Sequence, residues 1–367
     1  MAHAQQQAHA ALVALMPRLR PWTSTVLFAP YRAALDLPEL SADEFDDIIG
    51  ARLGPLLLDY VRAHDADIPA ELAEFLPIHQ AMGELRIEAL VREAEQAARI
   101  FTANGIEFAV SKGPGIAAHY PHRRLRPFGD IDFLLPERDF ARAFGLLEQA
   151  GWQADLARRE QRDYFIRRCR EAVNLEHGDL GRIDLHHHVP PWLWGLALPT
   201  EDLVGRSAQG TSCGVNLPVL DAVDNFLISC LHIVSDRSEP GRSLIVWRDI
   251  VELGRVIDVA EMTARAEAAG LAGWVGAVLT SLPADVRPFD VPQSWLTAEI
   301  GYPRRVLALL NGGAEGHPIK RHLARLPAFP NGVLYAVGVT FPDSEFLAAH
   351  VHGSMKLLRW ITNKRGT

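Results

Sequence analysis

Three aspartates and a lysine–glycine pair carry the chemistry that this sequence offers. Asp130 and Asp132 flank Ile131 in "RPFGDIDFLLP", a run that otherwise reads as a buried strand. Side chains alternate faces along a strand, so both carboxylates project to one side while Ile131 and Phe133 point to the other. Two like charges so close resist ionising together unless a cation compensates them. A hard divalent ion held by carboxylate oxygens is the usual compensation, and Mg²⁺ commonly takes substrate phosphates as further ligands. A bare D-x-D is more often the solvent face of an edge strand, and two neighbours shift that balance. In "RIDLHHHV", Asp184 shares a face with His186 and His188, while Ile183, Leu185, His187 and Val189 take the other. A third carboxylate on a nearby strand completes a cluster able to hold two metals about 3.5–4 Å apart, the arrangement that serves in-line phosphoryl or nucleotidyl transfer. In "VSKGPG", Gly113 lets backbone N–H groups approach a phosphate and Lys112 offers a point charge to its oxygens.

The surrounding pattern says what must position these groups. Residues 1 to about 104 read as helical, with Leu85, Leu90, Val91, Ala94, Ala98 and Phe101 recurring near the helical period until Asn104-Gly105 stops it. The texture then changes to short strands and turns. "IEFAV" is a strand, "SKGPG" a turn, "HRRLRP" a basic loop and "DIDFLL" a second strand, followed by the helix "ERDFARAFGLLEQAGW". "EAVNLEH" and "RIDLHHHV" flank "GDLG" as a β-hairpin. From Asp221 onward the pattern is helical again. A small α/β core at 91–205 is therefore expected between an N-terminal helical region, 1–90, and a C-terminal helical domain, 206–367.

Composition narrows the class. The chain has 367 residues, 48% of them hydrophobic, which fits a soluble globular protein of two or three domains. A formal net charge of -8 gives no global basic field, which disfavours a long nucleic-acid track. Cys169, Cys213 and Cys230 are few and widely spaced, which fits a reducing cytoplasm better than a disulfide framework or a CxxC zinc site. The apolar run Ala10 to Met16 lacks a basic leader and a cleavage site, and no run approaches the ~18–20 residues of a membrane span. A cytoplasmic protein without a membrane partner is expected.

The string "SKGPGIAAHYPHRRLRPFGDIDFLLP…LLEQAGW", followed by "RIDLHHHV", resembles a poorly characterised nucleotidyltransferase family of the DNA-polymerase-β-like superfamily. The later "LHIVSDRSEPGRSLIVWRDIVEL", with His232 and Asp249, resembles that family's C-terminal helical segment, so the likeness covers roughly residues 100–255. It implies an α+β fold with a polymerase-β-like nucleotidyltransferase core, a small mixed sheet with flanking helices. It implies an enzyme that uses two Mg²⁺ ions and transfers NMP from an NTP to an acceptor. Asp130, Asp132 and Asp184 would be the catalytic and metal-binding acids, and Lys112 and Gly113 would stand where the superfamily's turn holds the triphosphate. Arg126 would partner a phosphate or the acid cluster, and His186 would hydrogen-bond the carboxylates or a phosphate. Pro114 replaces the second small residue of the family's turn.

Other residues weigh less. His122, Arg123 and Arg124 read as a solvated loop or as phosphate contacts. Glu176 faces the cluster only if the hairpin register allows it. His232 reads as helix packing, Asp249 as an acid paired within the helices, and Trp192 and Trp194 as core or as a stacking surface. No G-x-S-x-G, G-x-G-x-x-G or Walker A sequence occurs. A small-molecule, peptide or protein acceptor is favoured over nucleic acid, with a tRNA end kept open by the basic "KLLRWITNKRGT". Two rivals stand beside the transferase: a non-catalytic nucleotide-binding scaffold on the same fold, and a metal-dependent hydrolase built on Asp184, His186 and His188.

Overall fold

The structure, a computed structural model, describes residues 21–31, 42–154, 172–178, 181–189, 198–212, 215–235 and 244–296, together with Ala10 and Val13. Cys169, Cys213, Trp192, Trp194 and the basic C-terminal stretch lie outside the described residues.

Short runs with apolar residues at every second position form one seven-stranded sheet. Its strands are β1 (Ala109–Ser111), β2 (Ile131–Leu134), β3 (Gln153–Ala154), β4 (Ala172–His177), β5 (Gly181–His186), β6 (Ala208–Ser212) and β7 (Val215–Val219), in the order β3-β4-β5-β2-β1-β7-β6. β5 runs parallel to β2 and β7 parallel to β1, while the other pairings are antiparallel, so the sheet is mixed. The expected hairpin strands pair as β4 and β5. The core does not end at residue 205: the stretch expected to be helical opens with β6 and β7, which extend the same sheet.

Period-two alternation gives the sheet two unlike faces. Ile131, Phe133, Val173, Leu175, Ile183 and Leu185 join one apolar cluster. That face is covered by α4 (Ala70–Ala103) and α6 (Glu137–Gln149). Phe101 of α4 meets Phe133 edge-on at 5.6 Å, and truncating such a buried ring costs about 3–5 kcal/mol. α4 stops where Gly105 takes φ 64 and the Ile106 N–H donates to the Phe101 carbonyl at 3.0 Å, a turn that glycine enters at no steric cost. α4 also crosses residue 90, so helix and core are continuous there.

The opposite face carries Ser111, Asp132, Asn174, Asp184 and His186, with Leu134 at its edge in a second apolar cluster. That second cluster is built by α1 (Pro21–Phe28), α2 (Ala42–Gly50), α3 (Gly54–His64), α8 (Ala222–Ser235), α9 (Leu244–Gly254), α10 (Val259–Ala268), α11 (Ala272–Ser281) and α12 (Gln293–Leu296). The short α5 (Gly113–Ala117) and α7 (Thr200–Arg206) complete the helices named here. No described helix is long and apolar enough to cross a membrane.

Candidate functional site

The acid cluster is assembled by strand register. β2 and β5 lie side by side and pair Asp132 directly with Asp184, while β1 sets Ser111 against Asp132 and β4 sets Asn174 against Asp184. His186 falls two residues beyond Asp184 on the same face, and its Nε2 lies 2.9 Å from Asp132 Oδ1. Ligand atoms of Asp132, Asp184 and His186 all lie within 4.8 Å of one another. Asp130, expected beside Asp132 on one strand face, sits instead in the bend just before β2, half-buried and outside this close group of three.

Charge in the cluster is lopsided. The Lys112 ammonium donates to Asp132 Oδ1 at 2.8 Å. Burial alone would discharge Lys112, but Asp132, with Asp130 and Asp184 behind it, reverses this and raises its pKa. Burial also opposes the charge on Asp132, and there Lys112 and His186 prevail, holding the carboxyl well below the usual range. Asp184 has no such partner: burial, then the charge of Asp132, pushes it up to about 6. Asp184 Oδ1 and His186 Nδ1 are buried without a hydrogen-bond partner. Such orphaned atoms cost roughly 1–3 kcal/mol each. Two carboxylates and an imidazole with ligand atoms this close, one carboxylate oxygen among them unsatisfied, fit a divalent cation.

The turn beside the cluster is clamped from the C-terminal helices. Lys112 adopts φ 51, a left-handed conformation that costs a non-glycine residue of order 1–3 kcal/mol. The cost is offset by Asn225 of α8, whose Oδ1 accepts the Lys112 N–H at 2.8 Å while its Nδ2 donates to the Leu220 carbonyl at 3.0 Å. Gly113 has Phe128 against it: a Cβ there would sit 3.1 Å from the ring's Cγ. Pro114 occupies the first turn of α5, where a missing N–H is tolerated. Asn225 was not foreseen; the available signal was a polar residue on the apolar face of its helix, fully buried in the fold.

Arg126 has a different partner from the expected phosphate or acid cluster. Its Nε and Nη2 donate to the two oxygens of Asp249 at 2.8 Å each, and the Tyr120 hydroxyl donates to the same carboxylate at 2.7 Å. All three residues are buried. Burial works against the Arg126 charge, yet Asp249 prevails and holds the guanidinium proton more firmly than usual. The loop leading into β2 is thereby tied to α9, and a bidentate fork already filled has little left for a nucleotide.

The histidine run also departs from expectation. Strand β5 ends at His186 and the chain bends at His187, so alternation fails beyond that point. His188 groups with Glu137 and His187, apart from Asp184 and His186. The set Asp184, His186 and His188 required by the hydrolase reading is therefore not brought together. Glu176 pairs across with Arg182 and is exposed, whereas Asn174 is the residue opposite Asp184. His122, Arg123 and Arg124 are exposed and line a cleft with Glu84, Glu88 and Phe128. Cys230 is wholly buried and burial pushes its thiol pKa well up, which suits packing and not nucleophilic work.

Comparison with known proteins gives the family. The family described as "Uncharacterised nucleotidyltransferase" matches residues 48–310, a span holding all seven strands and the helices from α3 to α12, and the chain belongs to that family. No curated protein matches. Among solved structures, that of the antibiotic-resistance factor ANT(2'')-Ia is similar over 51% of this chain and 91% of that chain, with 14% identity and a TM-score of 0.34.

Proposed function

We propose that the protein is a Mg²⁺-dependent nucleotidyltransferase that moves NMP from an NTP to a hydroxyl or phosphate of a small-molecule, peptide or protein acceptor. The observation that carries this reading is the direct pairing of Asp132 with Asp184 on adjacent strands, beside the Lys112–Gly113 turn. Membership of the family supports the transferase class. Asp132 and Asp184, with Asp130 from the bend before β2, would hold the ions. When bound, these supply Lewis-acid polarisation of the reacting phosphate and neutralise the charge developing on it.

The chain's own residues divide the remaining work. Lys112, beside Asp132 in the turn, would carry its charge to the phosphates of the NTP. The acceptor oxygen attacks the α-phosphorus, the bond to the bridging oxygen of the β-phosphate breaks, and pyrophosphate leaves. Asp184 takes the acceptor's proton and returns it to solvent. His186 holds Asp132 in orientation through their 2.9 Å contact. Positioning and electrostatic stabilisation then supply most of the rate.

The test is substitution of the acids. Asp130→Asn and Asp132→Asn should each abolish NMP transfer and Mg²⁺-dependent NTP binding while the circular dichroism spectrum stays that of the wild type. Full activity in both variants would remove the acid cluster from the chemistry.

A further inference from the structure

One cation beside the Gly129–Asp130 turn comes from the N-terminal helices. Arg52, in the turn after α2, has φ 63, a left-handed conformation uncommon for residues other than glycine. The conformation is fixed locally: the Arg52 N–H donates to the Ile49 carbonyl at 3.0 Å and the Leu53 N–H to the Ile48 carbonyl at 2.9 Å. Ala51 and Leu53 on either side are buried. The strained backbone therefore aims one side chain outward from a rigid turn.

That side chain lies over Gly129, the residue before Asp130. A Cβ at position 129 would stand 2.6 Å from Arg52 Nη2 and 3.0 Å from its Cζ. Gly129 is not among the glycines with positive φ, so its backbone tolerates a side chain; the guanidinium is what needs the space. Arg52 remains partly open to solvent. Among the described residues nothing accepts a hydrogen bond from its guanidinium, in contrast with Arg126. Burial works against its charge, Asp130 favours that charge, and Arg126, Arg86 and Arg182 oppose it. Arg126 is committed to Asp249, whereas Arg86 is exposed and Arg182 is roughly half so. An accessible guanidinium with no partner among the described residues, set among like charges near Asp130, matches the needs of a polyphosphate and not of a structural ion pair.

We infer that Arg52 binds the β- and γ-phosphates of the nucleotide, the part that leaves as pyrophosphate, and that Gly129 is glycine in order to admit it. This rests on the nucleotidyltransferase reading and adds a triphosphate contact from outside the sheet. Asp130 follows Gly129 in the chain and its charge acts on both Arg52 and Asp184, so a cation held by Asp130 and a phosphate held by Arg52 would be close.

The test measures binding to the full chain by calorimetry, with Ca²⁺ in place of Mg²⁺, for an NTP, the matching NMP and pyrophosphate. Arg52→Gly suits the left-handed backbone, so it should melt at or above the wild-type temperature. It should bind NTP and pyrophosphate at least about tenfold more weakly, a loss of ~1.4 kcal/mol, with NMP unchanged. Gly129→Ala should produce the same loss in the wild-type background and no further loss on top of Arg52→Gly. Equal weakening of NMP and NTP would mean that Arg52 only steadies Asp130, and the inference would fall. It would fall equally if Arg52→Gly bound NTP as tightly as the wild type. A wild-type chain that binds no nucleotide would instead sink the nucleotidyltransferase reading, and this inference with it.

Discussion

Asp132 and Asp184 stand opposite each other on neighbouring parallel strands, and Lys112 and His186 both bond the first of them. One carboxylate is thereby satisfied and the other left with a buried, unpartnered oxygen. The site is built around an imbalance that a divalent cation would remove.

That imbalance predicts a pH effect on the metal-free protein. Asp184 has a folded pKa of about 6 against an ordinary 3.8, so between those values the folded chain holds more protons than the unfolded chain. Its contribution to stability is present at the acid end of this window and is lost as pH rises through about 6. Thermal melts in chelator should show that slope, and Asp184→Asn should flatten it. Added Mg²⁺ should raise the melting temperature most above pH 6, because it binds the folded state alone.

The buried pairing of Arg126 with Asp249 predicts a stability defect, not a nucleotide-binding one. Removing one partner strands a charge in the interior and costs roughly 3–5 kcal/mol. Arg126→Met or Asp249→Leu alone should lower the unfolding free energy from denaturant melts by that much, and the double variant should recover most of it. Tyr120→Phe removes a single hydrogen bond to the same carboxylate and should cost about 1 kcal/mol. At a temperature where the Tyr120 variant is folded, its NTP affinity should equal the wild type's.

Asn225 makes a third prediction. Asn225→Ala leaves the Lys112 N–H and the Leu220 carbonyl without their partner inside the fold. A stability loss of about 1–3 kcal/mol follows from the unsatisfied groups. NTP affinity should fall further than metal affinity, because the turn that carries Lys112 is released while Asp132 and Asp184 stay in register. Parallel titrations with Mn²⁺ and with NTP would separate the two.

What was legible in the sequence is what local rules determine. The strand of Asp132, the lysine turn and the strand of Asp184 follow from alternation and from glycine and proline punctuation, whereas Asp130, expected on the same strand face as Asp132, falls in the bend before β2. The contacts that explain Arg126 and Lys112 were not legible, because they join residues 123 and 113 positions apart. The edge strand β6 and its neighbour β7 escaped notice because Gly210, Asn216 and Pro218 dilute their alternation. His186 and His188 were placed on one face by a parity that holds only while the strand continues, and it ends at His186. Arg52 lies in a stretch read as uniformly helical, where a single left-handed turn leaves no compositional trace.

The central claim is tested most directly by incubating the purified chain with each NTP, labelled at the α-phosphate, in Mg²⁺ with cell extract as the source of acceptor. The account predicts label in a new product, release of one pyrophosphate per label transferred, and neither with Asp132→Asn. Release of inorganic phosphate without pyrophosphate, or label transfer undiminished in Asp132→Asn, would contradict it.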